Sequence, residues 1–142
     1  MGDLNAAIES YKTSLKIDPN YSRAYNNLGN ALKDKGNYES ALNIWEPLAK
    51  DGVSNAQYNV GFMYHNGLGT KQDFEQAFKW LLKSSEQGNL NSIRLISTMY
   101  ALGNGIKKDF IKSYMWAKIG ADNDDQNSKI LLDGLLKEMS NS

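Results

Sequence analysis

His65 is the only histidine of the chain, and it lies in Tyr64–Trp80, YHNGLGTKQDFEQAFKW, just ahead of Gly67 and Gly69. These residue types could do chemistry. A G-x-G turn can aim backbone N–H groups at a phosphate, and an imidazole near the Asp73 carboxylate could move a proton. Neither constellation is complete. A dinucleotide loop needs a buried strand before it and a third glycine; here a helical pattern precedes Gly67 and the third glycine is missing. The G-K-[ST] ending of a Walker loop is missing too. His65 lacks the nucleophile or the co-ligands that catalysis or metal binding would require. The acidic stretch Ala121–Asn127, ADNDDQN, invites a calcium reading. Counted from Asp122, however, the sixth and twelfth positions are Asn127 and Asp133, where a calcium loop needs Gly and Glu. Those acids fit a solvated loop ahead of a helix N-terminus. The sequence therefore points to no catalytic residue, no metal site and no cofactor.

Composition narrows the class further. The chain has 142 residues, with 16 Lys+Arg, 16 Asp+Glu and no cysteine. Zero formal net charge gives no global attraction to nucleic acid or to an anionic membrane. The absence of cysteine removes disulfides, thiolate zinc sites and cysteine nucleophiles. No apolar run approaches the length of a membrane span, and the N-terminus shows no basic patch followed by an apolar stretch. The expected compartment is the cytoplasm. With 12 Gly and 2 Pro, the composition suits helices joined by glycine turns.

The glycine stretch occurs twice. Shifting the chain by 36 residues sets Tyr64 on Tyr100, Gly67 on Gly103, Gly69 on Gly105, Lys71 on Lys107, Asp73 on Asp109, Phe74 on Phe110 and Trp80 on Trp116. With Asn55/Asn91 and Met63/Met99 this makes nine identities over the 27 positions from Ser54, without a gap. A looser repeat of 34 residues links Gly2, Leu4, Ala7 and Tyr11 to Gly36, Tyr38, Ala41 and Trp45. Units of this size are helix pairs that bury their apolar faces jointly by stacking. Whatever recurs belongs to the scaffold; His65, Asn66 and Leu68 do not recur, so specificity within this stretch is expected from them.

Each unit reads as two helices. Ala24, Leu28, Ala31 and Leu32 lie at helical spacing, Gly36 breaks the chain, and Tyr38, Ala41, Leu42, Trp45 and Leu48 form the next stripe. Pro47 is discordant, since an interior proline costs about 3 kcal/mol, and a kink is expected there. Ala56, Val60, Met63 and Tyr64 mark a further first helix. Asp73 then caps the helix of Phe74, Ala77, Phe78, Leu81 and Leu82. Ile93, Ile96, Met99 and Tyr100, then Asp109 before Phe110, Tyr114 and Ala117, repeat the pattern. Asn127–Met139, carrying Ile130, Leu131, Leu135 and Leu136, is a lone terminal helix with an outer polar face. Trp45, Trp80, Trp116, Tyr11, Tyr38, Tyr64 and Tyr100 occupy repeat-equivalent positions and are expected to pack between repeats.

These patterns resemble two related families. AYNNLGNALKDKGNYESALNIW, with Tyr25, Leu28, Gly29, Gly36, Tyr38 and Ala41, resembles a tetratricopeptide repeat (TPR). The opening GDLNAAIESYKTSLKIDPN resembles the second half of a preceding one. From Trp45 onward the chain is similar to the Sel-one-like repeat (SLR), matched by Ala56, Val60, Gly61, Tyr64, Gly67, Gly69, Asp73, Ala77 and Trp80. Ser92, Ser97 and Ser113 depart from its Ala, Gly and Ala, small for small. The resemblance implies an all-α solenoid of stacked antiparallel helix pairs. Residues 1–20 would be the second helix of an incomplete TPR, 21–52 a TPR-like pair, 53–88 and 89–124 two SLR repeats, and 125–142 a C-terminal capping helix.

It also implies a non-enzymatic module that binds a partner protein or peptide on a concave face lined by the first helices. The groove positions fall on Arg23, Asn27, Asn30 and Asp34, on Asn55, Asn59, Phe62 and Asn66, and on Asn91, Leu95, Thr98 and Leu102. An asparagine amide can pair with any peptide backbone because it holds both donor and acceptor. The expected groove is thus an Asn-lined wall grading into an apolar patch of Phe62, Leu95, Leu102 and Leu131. One TPR subclass clamps a C-terminal carboxylate. Asn30 and Asn59 match it, but Leu95 stands where that clamp has an arginine. A dedicated inhibitor or immunity protein for a toxin, and a structural solenoid that dimerises through its open N-terminal helix, are the alternative readings.

Overall fold

A computed structural model of the protein describes residues 2–142, apart from the Ser22 side chain. Among the described residues there are eight α-helices and no strand. They are α1 (Gly2–Ile17), α2 (Ser22–Asp34), α3 (Tyr38–Lys50), α4 (Ser54–Asn66), α5 (Phe74–Glu86), α6 (Leu90–Leu102), α7 (Phe110–Asp122) and α8 (Gln126–Ser140). Each packs mainly on its neighbours in sequence, as a solenoid requires. The apolar stripes are what hold it together. Ala24, Leu28, Ala31 and Leu32 of α2, Ala41, Leu42 and Trp45 of α3, and Ala56, Val60 and Met63 of α4 are buried, joined by Ile8 of α1. Ala77, Phe78 and Leu81 of α5 continue the core into Ile96, Met99 and Tyr100 of α6.

Small residues let the helices of a pair approach, and the joint differs from pair to pair. A Cβ on Gly29 would stand 2.3 Å from Nε1 of the fully buried Trp45. One on Gly61 would stand 2.6 Å from Leu81 Cγ. The third pair has Ser97 in this place. Ser97 Oγ donates to the Ser113 carbonyl and Ser113 Oγ to the Ser97 carbonyl, each at 2.7 Å. Trp45 lies seven residues after Tyr38, as Leu81 does after Phe74 and Ala117 after Phe110, and all three are fully buried. Trp45 is therefore not the equivalent of Trp80 and Trp116, which lie one residue earlier in their helices and are only half-buried. A spacing of 35 residues between Trp45 and Trp80 gives an apparent register; the helix starts, 36 residues apart, correct it.

The glycine stretch separates into two jobs. Gly67 and Gly103 end α4 and α6 in the left-handed conformation, φ +64° and +76°, their N–H groups donating to the Met63 and Met99 carbonyls. Gly69 and Gly105 also have positive φ but serve the neighbouring repeat. A Cβ on Gly69 would lie 2.6 Å from the Tyr38 carbonyl carbon, and one on Gly105 2.3 Å from the Phe74 carbonyl oxygen. Each long loop thus rests on the start of the second helix one repeat upstream. Asp73 and Asp109 cap α5 and α7 by accepting from the Gln76 and Lys112 N–H groups.

α3 keeps Pro47 inside it, in its last turn, without the helix ending there. One expectation changes. The outer side of α8 is not wholly polar, for Ile130 is 62% and Leu136 46% exposed, while Leu135 and Ser128 are buried. α8 begins 36 residues after α6, as α6 does after α4. Leu136 therefore stands where Tyr64 and Tyr100 stand, and those two are packed against a second helix that α8 lacks among the described residues.

Candidate functional site

α4, α6 and α8 lie side by side in the same register, and a depression of about 360 Å³ opens between them. Phe62 and Tyr58 come from α4, Leu95, Thr98, Asn91 and Arg94 from α6, and Asn127 and Leu131 from α8. Four of the expected groove positions, Phe62, Asn91, Leu95 and Thr98, are thereby brought together, with Leu131 as the apolar extension. Leu102, expected in the same patch, instead lines a second, larger depression of about 520 Å³ with Phe110, Ile130 and Leu135, and Leu131 borders both. Arg23, Asn27, Asn30, Asn55, Asn59 and Asn66 line neither. On α2, Arg23 is exposed and Asn27 and Asn30 half-buried; on α4, Asn55 and Asn66 are exposed and Asn59 half-buried.

Polar groups around the depression are already partly committed. Arg94 Nη1 donates to Asp125 Oδ1 at 2.8 Å, and its other terminal nitrogen donates to Asn91 Oδ1. Asp125 also caps α8, accepting from the Ser128 N–H and hydroxyl at 2.8 and 2.6 Å. Burial pushes the Asp125 carboxyl up, but the hydrogen bonds from Ser128 and Arg94 outweigh it and hold the group below its ordinary value. One repeat upstream, Asn89 does the same work without charge. It caps α6 through the Ser92 N–H and donates to Asn55 Oδ1 at 3.1 Å. Asn66 is turned back on its own helix, donating to the Phe62 carbonyl at 2.9 Å. Tyr58 lies 6.0 Å from Phe62, ring centre to ring centre. Burial raises its hydroxyl pKa, opposed by the Arg94 charge. Arg94 is spent on Asp125, so the arginine next to Leu95 is not free to serve a carboxylate clamp.

Tyr58, Arg94 and Asn127 fall outside the expected groove spacing. Tyr58 and Arg94 are equivalents, one residue ahead of Asn59 and Leu95. Asn127 is the next step of the ladder Asn55, Asn91, and a further shift by 36 residues would have found it. His65 is half-buried edge-on to Phe74, centroids 5.1 Å apart, with its Nδ1 buried and unpartnered among the described residues. Its carbonyl accepts from Gln72 Nε2 at 2.9 Å. In the acidic loop, Asp122 pairs with Lys118 and Asp124 with Lys129.

Stacked helix pairs with short linkers and one joint core define an α-solenoid. The chain is a TPR- and Sel1-repeat protein of that class, matching the Sel1 repeat over residues 54–89 and 92–125 and a TPR repeat over residues 1–36. Among solved structures it is similar to a protective antigen with an SLR fold present in uropathogenic Escherichia coli strains. That match has a TM-score of 0.84 at 24% identity, covering 92% of this chain and 28% of the other. It is also similar to a Sel1 repeat protein from Oxalobacter formigenes, TM-score 0.78 at 25% identity, covering 92% and 57%. A Sel1-like repeat protein of Acanthamoeba polyphaga mimivirus is 53% identical over 36 residues, 25% of this chain. DAP3-binding cell death enhancer 1 of Rattus norvegicus is 39% identical over 54 residues, 38% of this chain. This chain spans only 6% and 11% of those two relatives. Such repeats generally serve as protein–protein interaction modules. No helix among the described residues is long and apolar enough to cross a membrane.

Proposed function

We propose that the protein is a non-enzymatic binding module that holds a segment of a partner protein against the face made by α4, α6 and α8. The observation that carries this is the depression where Phe62, Leu95 and Leu131, from three successive first helices, converge beside polar Asn91, Asn127 and Thr98. Its volume takes one or two large apolar side chains, which serve as anchors of an extended segment or a short helix. The asparagines refine the mode. The oxygens of Asn55 and Asn91 are engaged by Asn89 and Arg94. These amides therefore offer N–H groups, and the matching groups are peptide carbonyls. The absence of catalysis is supported by the roles of the two reactive residues of the glycine stretch. Asp73 caps a helix, and His65 is packed against Phe74.

Capture of partners from an extract of the source organism tests the reading. A folded Leu95→Glu/Asn59→Glu double variant should lose the partner that the unaltered chain retains. If it retains that partner, the face is not the groove.

A further inference from the structure

On the opposite side of the stack, α7 carries an exposed apolar line: Ile111 is 67%, Met115 56% and Ile119 43% exposed. Their spacing of four residues keeps them on one helix face. Met115 and Ile119 also border a notch of about 260 Å³ between α5 and α7, with Leu82, Tyr100, Trp116 and Lys112. This flank of α7 faces α5; the flank that α8 covers is the other one.

The preceding repeat supplies an internal control. Shifted back by 36 residues, the six notch positions become Glu46, Tyr64, Gln76, Lys79, Trp80 and Lys83, and Ile111 becomes Glu75. That upstream seam is closed by its own polar groups. Tyr64 donates its hydroxyl hydrogen to Glu46 Oε1 at 3.3 Å, and Lys83 Nζ stands 5.1 Å from the Trp80 ring centre. The tyrosine and the tryptophan recur downstream, but the groups that cover them do not, because Leu82 replaces Glu46 and Ile119 replaces Lys83. Packing of the solenoid does not demand this change, since the same fold one repeat earlier is satisfied by charged residues there.

We infer that the α5–α7 notch is a second docking surface, on the convex side, for an acidic amphipathic helix of a partner protein. The apolar line is two turns of helix long, about 12 Å at 1.5 Å per residue, which suits one face of a short helix. Charge selects the acidic partner. Lys112, the charged residue of the notch, lies 5.6 Å from the Tyr100 ring centre. Lys79 and Lys83 are exposed on α5 alongside, with Glu75 and Glu86 toward its two ends, and Lys107 is exposed ahead of α7.

The probe is a synthetic helix of about four turns with leucines along one face and glutamates flanking them, compared with a version carrying lysines instead of glutamates. Titration followed by amide and indole chemical shifts should place the glutamate version at Lys112, Met115, Trp116 and Ile119. It should bind at least about tenfold tighter than the lysine version at low salt, with the gap narrowing as salt is added. Met115→Lys/Ile119→Lys restores the residues of the upstream repeat at exposed positions, so the variant should fold, and it should lose the site. The reverse transplant, Glu46→Leu/Lys79→Met/Lys83→Ile, should create a second site beside Trp80. Equal binding of the two peptides, or undiminished binding by Met115→Lys/Ile119→Lys, would overturn the inference. So would self-association abolished by that variant, or binding to phosphatidylserine vesicles with neither peptide bound.

Discussion

The upstream pair α2/α3 and the Sel1 pairs α4/α5 and α6/α7 use helices of the same 13 residues, yet they are joined differently. The first pair turns through Lys35–Asn37 on a single left-handed glycine, Gly36, with open space around it. The Sel1 pairs use a seven-residue loop, 67–73 or 103–109, whose second glycine touches the repeat upstream. The turn in the α2/α3 pair is thus local, whereas a turn in a Sel1 pair is also an inter-repeat contact. Side-chain capping begins one helix later, at α5, because α4 of the first Sel1 pair is uncapped too. Asp73, Asn89, Asp109 and Asp125 cap α5 to α8 with their side chains, while Tyr21, Asn37 and Val53 ahead of α2, α3 and α4 do not.

The largest difference should come from the glycines. Gly105→Ala forces a side chain into φ +72° and against the Phe74 carbonyl oxygen. Strain and overpacking together should cost about 3 kcal/mol or more, read by urea unfolding. Gly36→Ala meets only the left-handed strain and should cost about 1 kcal/mol. Equal costs would mean that the Sel1 loop does not bear on its neighbour.

Next comes the joint inside each pair. Gly29→Ala drives a methyl into the Trp45 indole and should cost about 1–3 kcal/mol. In the Gly29→Ala/Trp45→Leu double variant the penalties should fall short of additive, because the smaller side chain makes room. Strict additivity would break the assignment of Trp45 to that joint.

The smallest effect is electrostatic. The Asp125 carboxyl is held below its ordinary value of 3.8 in the folded chain. A depressed carboxyl contributes stability that is fully present above the unfolded value and is lost as pH falls through the folded one. Unfolding measured from neutral pH down to acid should show this loss in the unaltered chain and a shallower acid limb in Asp125→Asn, which is less stable at neutral pH. Parallel acid limbs would remove Asp125 from the link between α6 and α8.

Much of this architecture is written in local pattern. The stripes Ala24–Leu32 and Ile93–Tyr100, the left-handed glycines Gly36, Gly67 and Gly103, and the caps Asp73 and Asp109 each depend on residues within a turn or two. The role of Gly69 and Gly105 was not legible, because their contacts lie about one repeat away, at Tyr38 and Phe74. The register of Trp45 was legible but missed: the 36-residue shift that sets Trp80 on Trp116 sets Trp45 on Leu81, and the tryptophan one position away drew the eye instead. In the groove, repeat spacing placed Phe62, Asn91, Leu95 and Thr98 on one face. It could not show that Arg94 turns toward Asp125, or that Asn66 folds back on Phe62, since side-chain pairing depends on which neighbours the stack delivers.

The most direct test of the central claim is to map, by amide chemical shifts, where a peptide selected from a random display library binds the folded chain. The account predicts perturbations centred on Phe62, Leu95, Thr98 and Leu131 that vanish with Leu95→Glu. Perturbations confined to α1–α3, or unaffected by Leu95→Glu, would contradict it.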